Sequence, residues 1–292
     1  MNEKILRHYL FFVNLSPTNN LWNMNFFKAL FGGRTESPEE KKEAEKAKNF
    51  DILKYDGVKA LQINQFIQAI QCLEHALEIQ EDLECRDYLS QALLHNGETL
   101  AAYEQLQKLH EAQPDNEDIL LRMAQVAFMT ENYGAMMSAC EKSLLINKVN
   151  PAVYYLYGRA CVGQEDATNA VAMFTKAISL NEDYADAYLM RARVQLVEGN
   201  VEAADEDSQW LMERAAEVEE VLMLKAQVET AKGQLKEALI HYDKVIEVNP
   251  FSLEGYRERA VIKENIGDHQ GAEEDLAKVQ ELQEQRDEIE TR

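Results

Sequence analysis

Basic residues are scarce in this chain: 30 Lys and Arg stand against 52 Asp and Glu over 292 residues, a formal charge of −22. Nucleic-acid binding rests on neutralising phosphates with Lys and Arg, so a surface of this sign repels it. It also disfavours anionic membranes, and otherwise reports solubility. Long apolar runs are missing too. Residues 5–15 are apolar but broken by Arg7, His8 and Asn14, well short of the ~20 residues that a membrane span needs. The same stretch is short for a secretory leader, and no small-x-small cleavage site follows it. Cysteine is limited to Cys72, Cys85, Cys140 and Cys161, all inside helical patterns. They are predicted to be reduced core thiols, which implies a reducing compartment and a cytoplasmic protein. Cys72 and His75 stand i, i+3 as half of a zinc site, but no second ligand pair has matching spacing.

Catalytic signatures are absent as well. The six histidines (His8, His75, His95, His110, His241, His269) share no register with a nucleophile. There is no phosphate-cradling glycine loop, no HExxH and no GxSxG. Acid pairs such as Glu273 and Glu274 fall on solvated helix faces, and nothing supplies the differing environments that paired carboxylates need for acid–base work. The chain reads as non-enzymatic, and no residue pattern calls for a cofactor or a metal.

What the chain has is a period. Residues 151–184 read as two short amphipathic helices around a polar break at 163–169. Tyr154, Gly158 and Cys161 fall at i, i+4, i+7 in the first, and Ala170, Phe174 and Ala177 in the second, one face of a helix each. Neither helix can bury its apolar face alone, so the unit needs neighbours of its own kind. The pattern returns every 34 residues, giving units at about 50–82 (one residue shorter), 83–116, 117–150, 151–184, 185–218, 219–252 and 253–286. Position 8 of these units reads Gly57, Ser90, Ala124, Gly158, Ala192, Ala226 and Ala260. Small residues there let helix backbones approach closely.

With an aromatic or Leu at position 4, a small residue at 8, Gly at 15, Ala at 20 and Pro at 32, the repeated register resembles the tetratricopeptide repeat. The resemblance covers about four-fifths of the chain. It implies an all-α fold, a right-handed superhelical α-solenoid of helix-turn-helix hairpins, here seven in series. Two departures stand out. Pro at position 32 survives only as Pro114 and Pro250, and the aromatic usual at position 11 is replaced by Gln195, Glu229 and Lys263. The second bears on how tightly the last three units pack.

Positions 5, 9 and 12 of the first helix form another i, i+4, i+7 stripe, turned about 100° from the core face. The resemblance implies that this stripe lines the concave surface, where ligands bind. Position 9 reads Gln91, Gln125, Arg159, Arg193 and Gln227 in five successive units, among Phe128, Tyr155, Leu189 and Met223. Two readings stand open. The apolar members could pack between adjacent first helices while Gln and Arg pair with acids of the next unit. Alternatively, these nine residues form a groove for a peptide or protein segment, in which Arg holds a carboxylate and Gln reads a backbone. The co-chaperone clamp of the same family looks for Lys at 5 with Asn at 9. Here Lys54 faces Val58, and no Asn stands at position 9.

The sequence therefore divides into a tail, residues 1–33, and a solenoid, residues 34–292. In the tail, Phe26, Phe27, Leu30 and Phe31 make a short apolar face that caps the first unit or anchors weakly to a membrane. Ser37, Pro38 and Glu40 spell a capping box, and residues 276–292 read as a polar lid on the last unit. The leading expectation is a protein-interaction scaffold whose partner is a protein or peptide. The rival is a structural or membrane-peripheral assembly subunit held by its N-terminal segment. Oligomeric state is not legible.

Overall fold

A computed structural model describes residues 37–290, so the readings made on the tail lie outside the described residues. Fourteen α-helices fill them: α1 Pro38–Gln62, α2 Phe66–Ile79, α3 Leu83–His95, α4 Thr99–Ala112, α5 Glu117–Met129, α6 Tyr133–Ile146, α7 Pro151–Gly163, α8 Ala167–Leu180, α9 Ala185–Val197, α10 Val201–Ala215, α11 Glu219–Ala231, α12 Leu235–Val248, α13 Leu253–Asn265 and α14 His269–Glu290. They pair into seven hairpins, and from α3 onward the first helix of each starts 34 residues after the one before. No described helix is long and apolar enough to cross a membrane.

The local chemistry of each end is readable. The Ser37 hydroxyl accepts from the Glu40 N–H at 3.2 Å while Ser37 N–H donates to the Glu40 carboxylate at 2.7 Å, and Pro38 sits at the first helical position. Asp82, Asn116, Asn150 and Ser252 cap α3, α5, α7 and α13 with side-chain oxygens. In every hairpin the residue at position 15 is left-handed. Gly97, Gly199, Gly233 and Gly267 take φ between 74° and 85° there, but Asn64, Glu131 and Glu165 hold φ of 60°, 54° and 59°. The turn geometry recurs even where the side chain does not suit it.

Each first helix is clamped on two sides. Position 8 faces position 24 of its own hairpin, and a Cβ on Gly158 would come within 2.6 Å of the Phe174 ring. A second stripe, at positions 3, 7 and 10, packs against the preceding hairpin: Val153, Ala187, Ala92, Ala160 and Val228 are fully buried. Position 4 varies in depth: Leu120 and Leu222 are fully buried, but the tyrosines there are shallower. Tyr154 is half-buried, and its hydroxyl donates to the Lys148 carbonyl at 3.1 Å.

Second helices make their extensive contacts with the first helices before and after them, while first helices also touch one another, α1 with α3, α5 with α7, and α7 with both α5 and α9. A stack in which one row of helices closes on itself and the other splays curves with the closed row inside. The superhelix therefore presents its first helices on the concave face. Position 11 of the last three hairpins is polar (Gln195, Glu229 and Lys263), and beside it the cations at position 7 of the same helices meet acids. Arg191 grips Asp207 through Nε and Nη2 at 2.9 and 2.7 Å, Arg259 grips Asp275 at 2.8 and 2.6 Å, and Lys263 reaches Asp275 at 2.9 Å.

Candidate functional site

The concave stripe of α3, α5, α7, α9 and α11 carries the residues singled out at position 9. Toward the N-terminus its charges are matched. The Gln91 amide donates to Asp87 at 2.9 Å, and the same carboxylate pairs with Arg122, which also donates to the Ser90 hydroxyl. Lys54 bridges Asp82 and Glu84 at 2.8 and 2.7 Å. In these units the polar side chains of the stripe meet acids, Gln91 within its own helix and Lys54 at the start of the next first helix.

The middle of the stripe differs. Arg159 lies with its guanidinium carbon 3.6 Å from the centre of the Phe128 ring and 5.7 Å from that of Tyr155. Such stacking orients a guanidinium without using its N–H donors. Tyr155 is held in turn against Phe174 at 5.9 Å and Tyr184 at 5.1 Å. Burial pushes the Tyr155 hydroxyl above its ordinary range. Arg159 pulls it back, Asp186 raises it and Arg193 lowers it, which sets both arginines around one phenol. Burial, with Tyr155 and Asp186, raises Tyr184 to about 12. Arg193 is exposed, and neither it nor Arg159 has a carboxylate partner among the described residues, whereas Arg86, Arg122, Arg191, Arg214 and Arg259 each have one.

The remaining residues of the stripe separate. Phe128, Leu189 and Gln227 are half-buried along it and Gln125 is exposed. Met223 is not a lining residue: it is 5% exposed and packs with Leu222, Ala226 and Tyr242 in the core. Its long flexible side chain turns down between α11 and its neighbours instead of out. Among the described residues no group of three or more potential metal ligands gathers, and Cys72 is half-buried while Cys85, Cys140 and Cys161 are buried.

The stripe of positions 5, 9 and 12 holds Arg193 and Val162 but does not reveal the cavity beside them. Val162, Ala167, Met190, Val194 and Val197 line it. Its signal was present: Met190, Val194 and Val197 fall at i, i+4, i+7, a third apolar stripe on α9.

Comparison with known proteins places the fold. The family model described as tetratricopeptide repeat matches residues 151–184 and 219–252. No match is found among the curated proteins. Among solved structures, a tetratricopeptide repeat protein from Parabacteroides merdae is 16% identical, with a TM-score of 0.68 over 80% of this chain and 93% of its own. PilW, a widely conserved type IV pilus biogenesis factor, is 17% identical, with a TM-score of 0.61 over 68% and 92%. YrrB, a protein of the same kind with an unusual peptide-binding site, is 20% identical, with a TM-score of 0.50 over 61% and 92%.

Proposed function

Since the chain belongs to the tetratricopeptide-repeat proteins, we propose that it is a non-enzymatic scaffold that holds an acidic segment of another protein on the concave face of α5, α7 and α9. One observation carries this reading. In a chain of net charge −22, two guanidinium groups one repeat apart are left without a carboxylate, and one of them is fixed face-on by Phe128 and Tyr155. Unpaired cations in an acidic body draw a carboxylate to that point while the outer surface repels it. The donors left free by stacking suit bidentate contact. Phe128, Tyr155 and Leu189 flank the pair with apolar surface, and Gln125 and Gln227 stand one unit to either side to read a backbone. YrrB shows that a solenoid of this fold takes a peptide. Buried, reduced cysteines fit a cytoplasmic setting.

The test is capture from native lysate by the full chain and by the Arg159→Ala, Arg193→Ala variant, with a titration of whatever is captured and a thermal melt of both proteins. A hydrogen bond to a charged group contributes about 1.5–3 kcal/mol, so binding is expected to weaken by roughly ten- to a hundredfold per arginine. The melting curve should stay in place. Unchanged binding, or a lowered melt with binding intact, would refute the groove.

A further inference from the structure

The cavity beside Arg193 has about 580 Å³, inside the roughly 300–1,000 Å³ typical of ligand pockets. It opens between the α7–α8 turn and α9, with Arg193 on the groove side and Glu165 and Glu198 on the outer rim. The same place in two earlier hairpin junctions is not empty. Between the first two hairpins, Phe66 at position 17 stacks on His95 at position 13 of the next unit, with ring centres 5.0 Å apart. Between the third and fourth, Tyr133 at position 17 covers Gly163 at position 13 so closely that a Cβ there would lie 2.4 Å from the ring. Between the fourth and fifth, position 17 is Ala167 and position 13 is Val197. No ring reaches over, Val197 is left 85% exposed, and the slot stays open.

Resting on the groove reading above, we propose that this slot receives an aromatic side chain supplied by the partner segment, with an acidic residue beside it on Arg193. Two of the chain's six junctions, the first and the third, show a shape and chemistry that fill the slot, one planar ring laid across the junction; in the others position 17 is Thr99, Ala167, Val201 or Leu235. Offset or edge-on packing of such a ring against Val162, Met190 and Val194 buries apolar surface that is otherwise wet. Charge sets the order. A carboxylate is attracted on the Arg193 side, and Glu165 and Glu198 reject a second one on the rim. A run of acids is therefore excluded, and a single acid next to an aromatic is selected.

The experiment uses the full chain against a bead-displayed library of capped twelve-residue peptides randomised at every position. The wild-type protein is expected to enrich peptides with Phe, Tyr or Trp adjacent to a single Asp or Glu. Arg193→Ala should remove the acid preference, roughly tenfold or more, and keep the aromatic one. Ala167→Tyr with Val197→Gly rebuilds the filled third junction and should abolish the aromatic preference while the acid preference persists. Val197→Gln, at a site 85% exposed, should do the same without placing an acid i+4 from Arg193. An aromatic preference that survives both slot variants overturns the proposal, as does enrichment of acids without aromatics; in either case the groove stands. Enrichment of peptides resembling residues 25–31 of this chain, which carry phenylalanines and a lysine but no acid, overturns it in favour of the chain's own segment. Absence of any Arg193-dependent preference overturns both the slot and the groove.

Discussion

Replacing Gly158 by Ala should destabilise the protein, against the usual direction of such a change. In a helix interior Ala is favoured over Gly by about 0.5–1 kcal/mol. At this site the new Cβ would lie 2.6 and 2.7 Å from Cε1 and Cδ1 of Phe174, closer than carbon atoms approach without movement. The ring cannot swing out, because Phe174 has no exposed surface and is wedged against Ala170, Cys161 and Tyr155. Overpacking of this kind costs about 1–3 kcal/mol. The steric term wins over propensity, leaving a net loss of up to about 2 kcal/mol, and Gly158→Leu should lose more. A kcal/mol moves the midpoint of a chain of this size by roughly 2–4 °C, so calorimetry resolves the effect. Gly134→Ala is the control. Its Cβ meets nothing nearer than Asn132 Oδ1 at 3.9 Å, and it should hold or raise the midpoint. Adding Phe174→Leu to Gly158→Ala should recover part of the loss, with a coupling of at least about 0.5 kcal/mol. A raised midpoint for Gly158→Ala, or strict additivity with Phe174→Leu, would show that positions 8 and 24 do not meet as described.

Glu131→Gly should raise stability by a few tenths to about 1 kcal/mol: the left-handed strain it relieves is about 1–2 kcal/mol, less the extra unfolded-state entropy of Gly, about 0.4–1 kcal/mol. A melt with no increase would count against strain at that turn. Acidification should first open the last three hairpins and the junction of the first two. Burial pushes Asp205 and Asp275 up, but Lys225 and Lys232, and Arg259 and Lys263, outweigh it and hold both below 3.8. A carboxyl lowered in the folded state stabilises fully above its unfolded value, and that contribution is lost as pH falls below 3.8 through the folded value. Burial likewise pushes up Asp82 at the start of α3, and Lys54 and the Cys85 N–H outweigh it. Amide exchange should therefore lose protection first in α9–α14 and at the start of α3; loss beginning in α5–α7 would contradict it. Burial raises Cys85 and Cys161 to about 11 and Cys140 to about 12, so maleimide should label these three only after denaturation, with Cys72 reacting first. Rapid labelling of Cys140 in the native protein would mean it is not in the core.

Much of the fold was legible because a repeat offers the same evidence seven times. A small residue at position 8 and Ala at 20 are weak signals singly, but their recurrence 34 residues apart fixes helix phase and hairpin pairing together. The depth of each position was less legible. A single i, i+4, i+7 stripe suggests one buried face, whereas Val153, Ala160 and Val228 are fully buried on a second, because each first helix packs against two hairpins. That stacking is a tertiary fact, and a pattern for one amphipathic helix does not contain it. For the same reason Met223 was placed on the groove face although it turns into the core. Arg159 and Arg193 were visible as the cations in the column of position 9; their lack of acidic partners was not, since that depends on where Asp87 and its neighbours reach.

The residues at position 11 divide the stack into two packing schemes. In the first four hairpins that position is Ala60, Leu93, Ala127 and Cys161, all buried, and the junctions close with apolar contacts or a ring. From the fifth onward it is Gln195, Glu229 and Lys263, and beside it Arg191 and Arg259, at position 7, grip Asp207 and Asp275, which are only 4% and 3% exposed. In the hairpin between them, His241 stands at the position of those aspartates. There the balancing charge shifts to Asp205 and Glu229, which Lys225 reaches at 2.6 and 2.7 Å. Buried ion pairs recover their desolvation only in good geometry, and losing one partner costs about 3–5 kcal/mol. They therefore hold register more strictly than apolar surfaces do. The change from one scheme to the other falls at the junction of α7 and α8 with α9. Neither scheme completes that junction: Ala167 brings no ring, and Arg193 finds no acid. Ala167 and Arg193 line the same cavity, so under the proposed reading one ligand, bringing a ring and a carboxylate, would finish the packing that the chain leaves open.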